Sequence, residues 1–143
     1  MWDEIPVGIL IVEDDADTRE NLRDILEVDG YRIDEAATVA EALGREDWSG
    51  YSVILLDRKL PDGKAADLLP QLKRLAPGTA VIIMTGFADV EGAISALRQG
   101  TADYLLKPIN ADELRARIRR LAEHRRAEEG SRQRSLILQS VLK

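Results

Sequence analysis

Apolar stretches recur along the chain at a regular interval: GILIV (8–12), YRIDEA (31–36), YSVILLD (51–57), AVIIMT (80–85) and DYLLK (103–107). The first, third and fourth are β-branched and nearly uninterrupted, as strands covered on both faces are. The intervals between them carry helical spacing. Leu22, Ile25 and Leu26, stopped at Asp29-Gly30, predict a first helix, and Val39, Ala42 and Leu43 a short second one. Leu68, Leu69, Leu72 and Leu75 mark a third, which has to accommodate Pro70 in its first turns. Val90, Ala93, Ile94 and Leu97 mark a fourth, closed by Gly100, and Leu114, Ile118 and Leu121 a fifth. Five strands alternating with five helices through short loops predict a doubly wound α/β fold, a five-stranded parallel sheet with helices on both faces. In such sheets ligands gather beyond the carboxyl ends of the strands.

Charge and composition narrow the class. Residues 1–109 carry 11 Lys and Arg against 21 Asp and Glu, whereas residues 110–143 carry 9 against 5. An acidic body repels phosphates, so direct nucleic acid binding is not expected of it; a cation site is. The basic end suits a helical connector. There is no cysteine, so neither a disulfide framework nor a thiolate metal site is available. The start, MWDEIPVG, lacks a basic region followed by an apolar stretch, and no apolar run approaches the roughly 18 residues of a membrane-spanning helix. A cytoplasmic protein with no membrane partner is expected.

The predicted strand ends hold the chemistry. The first strand leads into Glu13-Asp14-Asp15, the third ends on Asp57, the fourth on Thr85-Gly86 and the fifth on Lys107-Pro108. A lone buried carboxylate is expensive, and clustered carboxylates repel one another unless a cation intervenes. Oxygen donors without Cys or His suit a hard ion, and two or three carboxylates plus waters suit Mg²⁺. Such an ion invites a phosphoryl group, whose oxygens the Lys107 ammonium and the Thr85 hydroxyl are equipped to meet. An aspartate in that setting can itself be the nucleophile, forming an aspartyl phosphate. These demands account for an aspartate at the end of an apolar strand.

The motifs IVEDD (11–15), ILLDRKLPDG (54–63), IIMTGFAD (82–89) and DYLLKP (103–108) resemble those of the receiver domains of two-component response regulators. The separations match as well: 43 residues from Asp14 to Asp57, 28 on to Thr85 and 22 on to Lys107. The resemblance covers about residues 7–127. It implies a flavodoxin-like strand order 2-1-3-4-5, with Asp57 as phosphoacceptor. Glu13 and Asp14 would hold Mg²⁺, Asp14 directly and Glu13 through water, with Asp57 and the backbone carbonyl of Lys59 as further ligands. Asp15 would lie outside the metal shell and help start the first helix. Thr85 would be the switch hydroxyl, Tyr104 the switch aromatic and Lys107 the phosphate-pairing lysine, followed by a cis Lys107–Pro108 peptide. Pro61 and Gly63 read as turn residues. The partner would be a histidine kinase or phosphotransfer protein, and the switched surface the fourth helix, fifth strand and fifth helix. Lys59 and Phe87 would flank the path of the hydrolytic water and slow dephosphorylation. The chain would be a signalling module, not a metabolic enzyme.

Other chemistries fit less well. EDDADT after the first strand would repel an FMN phosphate, and Arg19 stands where a haloacid-dehalogenase-type Asp-x-Asp-x-Thr needs its threonine. An EF-hand loop lacks its glycine and closing glutamate. His124, in AEHRRAEE, reads as a solvated helix residue, and the arginines of residues 115–126 are interleaved with glutamates as on a solvated connector. A receiver-like interaction module that works without phosphorylation remains the alternative, although the complete set Glu13, Asp14, Asp57, Thr85 and Lys107 argues against it. Residues 128–143 read as a helical linker or the start of a truncated downstream domain, because the apolar SLILQSVLK follows the polar EHRRAEEGSRQR. An output, sensory or kinase module would follow, and a homodimer would form through the switched surface or the C-terminal helix.

Overall fold

The computed structural model describes residues 7–86, 98, 100 and 103–124. Five parallel strands form the central sheet: β1 (Gly8–Val12), β2 (Arg32–Ala36), β3 (Tyr51–Asp57), β6 (Ala80–Gly86) and β7 (Asp103–Lys107). Between β3 and β6 lies a small antiparallel hairpin of β4 (Lys59–Leu60) and β5 (Gly63–Lys64). The sheet order is β2-β1-β3-β6-β7, which is the predicted 2-1-3-4-5 once the hairpin is set aside.

Alternation within the apolar strands divides the core in two. Ile9 and Ile11 of β1, Val53 and Leu55 of β3, and Ile82 and Met84 of β6 point to one face. There they meet Leu22 and Leu26 of α1 (Ala16–Glu27) and Leu114 and Ile118 of the final helix (111–124). Leu10, Val12, Ile54, Leu56, Val81 and Ile83 point to the other face. Ala42 of α2 (Val39–Leu43) and Leu68, Leu69 and Leu72 of α3 (Ala65–Leu75) cover them. The period of two in strands that read as unbroken apolar runs is the signature of a sheet buried on both sides. At the sheet edge β7 buries Leu105, while Leu106 remains 39% exposed.

Local chemistry starts and stops the helices. Asp15 caps α1 by accepting the Thr18 N–H at 3.0 Å, and Thr38 caps α2 through the Glu41 N–H at 3.0 Å. Asn110 accepts the Glu113 N–H at 2.9 Å at the head of the final helix. Gly30 ends the α1 region at φ 83°, a left-handed conformation that a side chain would disfavour. Helix α3 runs through Pro70; the Ala66 residue whose carbonyl loses its partner is exposed, so water can replace the missing donor. Arg115 binds Asp29 through two bonds of 3.0 and 2.8 Å, tying the final helix to the end of α1.

The sequence-predicted elements over described residues are present with shifts of one residue: β2 begins at Arg32 and β6 reaches Gly86. Pro61 sits in the hairpin turn, but Gly63 opens β5 and pairs with Leu60. Of the fourth predicted helix only Arg98, which is helical, and Gly100 are described; Val90, Ala93, Ile94 and Leu97 lie outside the described residues, as do residues 125–143.

Replacing Ile54 by Ala, in the fully buried centre of β3, is expected to cost about 2–5 kcal/mol in urea unfolding. Val28→Ala, at a side chain 75% exposed, should fall within about 0.5 kcal/mol. Comparable losses at the two positions would contradict the two-faced core.

Candidate functional site

Parallel strands deliver their carboxyl ends to one rim. Val12 is the register partner of Leu56, Asp57 of Met84, and Gly86 of Lys107, so residues far apart in sequence arrive side by side. Carboxylate oxygens of Glu13, Asp14 and Asp57 lie within 4.8 Å of one another. Glu13 is 1% exposed and Asp57 8%, whereas Asp14 is exposed.

Lys107 brings a cation to this cluster. The Lys107 ammonium lies 2.8 Å from Glu13 Oε2 and 3.1 Å from Asp57 Oδ1. Burial pushes the Glu13 carboxyl above its usual range, against the pull of Lys107 and of the Asp15 N–H, which donates to Glu13 Oε1 at 3.2 Å. Burial also works against the Lys107 charge. The hydrogen bonds to Glu13 and Asp57 outweigh it, and the lysine is held above its ordinary value. Among the described residues, the three grouped carboxylates outnumber the Lys107 ammonium that meets two of them, leaving an excess of negative charge on oxygen-only donors. That donor set fits a hard divalent cation such as Mg²⁺.

The remaining candidates surround the cluster. Thr85, 1% exposed, is the penultimate residue of β6, with its hydroxyl 3.5 Å from the Gly86 carbonyl. Tyr104 is half-buried against the α2–α3 face, in register with Ile83, and its carbonyl accepts from Arg117 Nη1 at 3.0 Å. The Lys107–Pro108 peptide is cis. Lys59 follows two residues after Asp57 with its side chain exposed, and Phe87 lies outside the described residues. Asp15 is engaged in its capping bond, and the Thr18 hydroxyl and N–H together hold its carboxyl below the usual range. Among the described arginines of the final helix, Arg115 pairs with Asp29, Arg117 with Asp103 and Glu113, and Arg119 approaches Asp29 at 3.9 Å.

The backbone after Asp57 is fastened on both sides. The Arg58 N–H donates to the Met84 carbonyl at 2.9 Å, and the Arg58 carbonyl accepts from the Ala65 N–H at 2.9 Å. A third fastening escaped the sequence reading. Asp62, at the hairpin turn, accepts the N–H groups of Val39 and Ala40 at 2.8 and 3.0 Å, tying the segment that follows Asp57 to the start of α2. Gly63 permits the approach, since a Cβ there would stand 3.2 Å from Val39 Cγ2. The Pro-Asp-Gly string announces a turn but not its distant partner.

A family model of the response regulator receiver domain matches residues 9–119. The chain belongs to this family. The transcriptional regulatory protein ZraR of Escherichia coli K12 is 31% identical to this receiver domain over 118 residues, covering 82% of the chain but 27% of ZraR. The acid tolerance regulatory protein ActR of Rhizobium meliloti is 29% identical, over 78% of the chain and 57% of ActR. The receiver domain thus spans about a quarter of ZraR and just over half of ActR. A CheY-like receiver domain structure from Methanospirillum hungatei matches with a TM-score of 0.80 and 33% identity, over 87% of this chain and 99% of that one. The receiver domain of NtrX from Brucella abortus matches at 0.75 and 30%, over 80% and 98%. No helix among the described residues is long and apolar enough to cross a membrane.

The two N–H donors on Asp62 hold its pKa below the usual carboxylate value. Its stabilising contribution is therefore present above the unfolded pKa, near 3.9, and is lost as pH falls through the lower folded value. Asp62→Ala should lower the urea midpoint at pH 7, and the gap to wild type should close in the acid range. A gap independent of pH would show that the carboxylate charge does not make this tie.

Proposed function

We propose that this receiver domain is a Mg²⁺-dependent phosphoacceptor in which Asp57 takes a phosphoryl group from the phosphohistidine of a kinase or phosphotransfer protein. The observation that supports it most is the buried Asp57 carboxylate, 3.1 Å from the Lys107 ammonium and grouped with Glu13 and Asp14. An Asp57 oxygen attacks phosphorus, the P–N bond breaks, and the imidazole leaves with the electron pair and takes up a proton. Glu13, Asp14, Asp57 and the Lys59 carbonyl would hold Mg²⁺, which supplies positive charge to the phosphoryl oxygens.

Lys107 turns from Glu13 toward one phosphoryl oxygen, and Thr85 donates its hydroxyl to another. The inward movement of Thr85 leaves room into which Tyr104 turns, and the surface made by the fourth predicted helix, β7 and the final helix changes state. That surface controls an attached output, sensory or kinase module, or a second copy of the chain, in the cytoplasm. The transcriptional role in the name of ZraR is compatible with an output beyond this domain, and the receiver itself makes no nucleic acid contact in this reading. Lys59 and Phe87 obstruct the water that would hydrolyse the acyl phosphate, so the phosphorylated state decays slowly.

Incubation with acetyl phosphate and Mg²⁺ should add one phosphoryl mass to the wild type, and none without Mg²⁺ or in Asp57→Asn. Serine at both 59 and 87 should shorten the lifetime of the adduct. A folded, Mg²⁺-binding protein that takes up no phosphoryl group would instead support an interaction module independent of phosphorylation.

A further inference from the structure

The acid assigned above to direct metal contact has no side-chain support. Among the described residues the Asp14 carboxylate has no hydrogen-bond or ion-pair partner, and it is exposed. Its direction is set by the backbone that carries it. That backbone leaves the sheet at this point: the Glu13 N–H still bonds the Ala36 carbonyl at 3.0 Å, and β1 has ended at Val12. The carbonyls of Glu13 and Asp14 therefore need partners from outside the ladder.

Arg19 supplies them. From the second turn of α1 its Nη1 donates to the Glu13 carbonyl at 2.8 Å and reaches the Asp14 carbonyl at 3.4 Å, the weaker of the two. The guanidinium is steadied in turn by Glu35 of β2, whose Oε2 lies 3.9 Å from Arg19 Nε. Glu35 is itself fixed by Arg23 Nε at 2.9 Å, and Arg23 Nη2 anchors on the Ile33 carbonyl at 3.2 Å. The helix, the β1–α1 turn and β2 are thus joined through one planar group that touches both acidic residues by their peptides and neither by its carboxylate.

We infer that Arg19 is a positioning residue for the acidic site, locking the Glu13–Asp14 peptides so that the two carboxylates converge on a divalent cation. The inference rests on the Mg²⁺ reading above. Two physical effects of Arg19 on a cation have opposite signs, which makes the inference testable. As a nearby positive charge Arg19 opposes Mg²⁺ binding, so its removal by Coulomb's law alone would tighten the site. As a backbone lock it favours binding, so its removal loosens the site. Outer partners of metal ligands typically contribute about 10–100-fold in affinity.

Mg²⁺ titration of the full chain by calorimetry, alongside thermal unfolding, separates the effects. Arg19→Met should weaken Mg²⁺ about tenfold. Arg19→Lys, which keeps the charge but presents a single ammonium, should fall between Arg19→Met and wild type. Arg23→Met removes the tie to Glu35 without touching a site carbonyl; it should lower thermal stability but leave Mg²⁺ affinity within about twofold of wild type. Unchanged or tighter binding by Arg19→Met, or an equal loss in Arg23→Met, overturns the positioning role. Absence of Mg²⁺ binding in the wild type itself overturns the metal reading together with the inference that rests on it.

Discussion

The Lys107 contact with Glu13 and Asp57 is the interaction on which the rim of this sheet depends. It spans three strands, since Glu13 follows β1, Asp57 ends β3 and Lys107 ends β7. Taking a carboxylate out of water costs several kcal/mol even after relaxation, and here two are nearly or fully withdrawn. One ammonium offsets part of that cost and leaves the acids in surplus. The result is a rim held together yet still short of positive charge, a condition suited to a transferable group that brings a cation with it. The rest of the domain serves to hold this arrangement. Parallel pairing aligns the strand ends, and the two apolar faces fix the register that places Lys107 beside Gly86.

The second layer of control is backbone anchoring. Arg19 fastens the peptides of the acidic pair, Arg58 is pinned between β6 and α3, and Asp62 ties the hairpin to α2. None of these contacts touches the Asp57 carboxylate. Each removes freedom from a segment that contains or follows a residue of the cluster, the general way in which sites are kept ready at low cost in reorganisation.

Much of this was legible in the sequence because its physics is local. The uninterrupted apolar runs 8–12, 51–57 and 80–85 identify strands buried on both faces, and a parallel sheet then sends every strand end to one rim. Glu13, Asp14, Asp57, Thr85 and Lys107 could be gathered from that rule alone, before any resemblance was invoked. What the sequence hid depends on distance. Nothing around Asp62 reveals that its partners are the N–H groups of Val39 and Ala40, and Arg19 looks like any helix arginine until the turn beneath it is seen. The two-residue strands β4 and β5 are too short to carry a periodic signal.

The central claim is that Asp57 carries the phosphoryl group. Borohydride reduction of the acetyl-phosphate-treated protein converts an aspartyl phosphate to homoserine, which peptide mass spectrometry can assign to a residue. The account predicts homoserine at position 57, in Mg²⁺-containing samples alone. Homoserine at Asp14 or Asp62 with an unmodified Asp57 would contradict it.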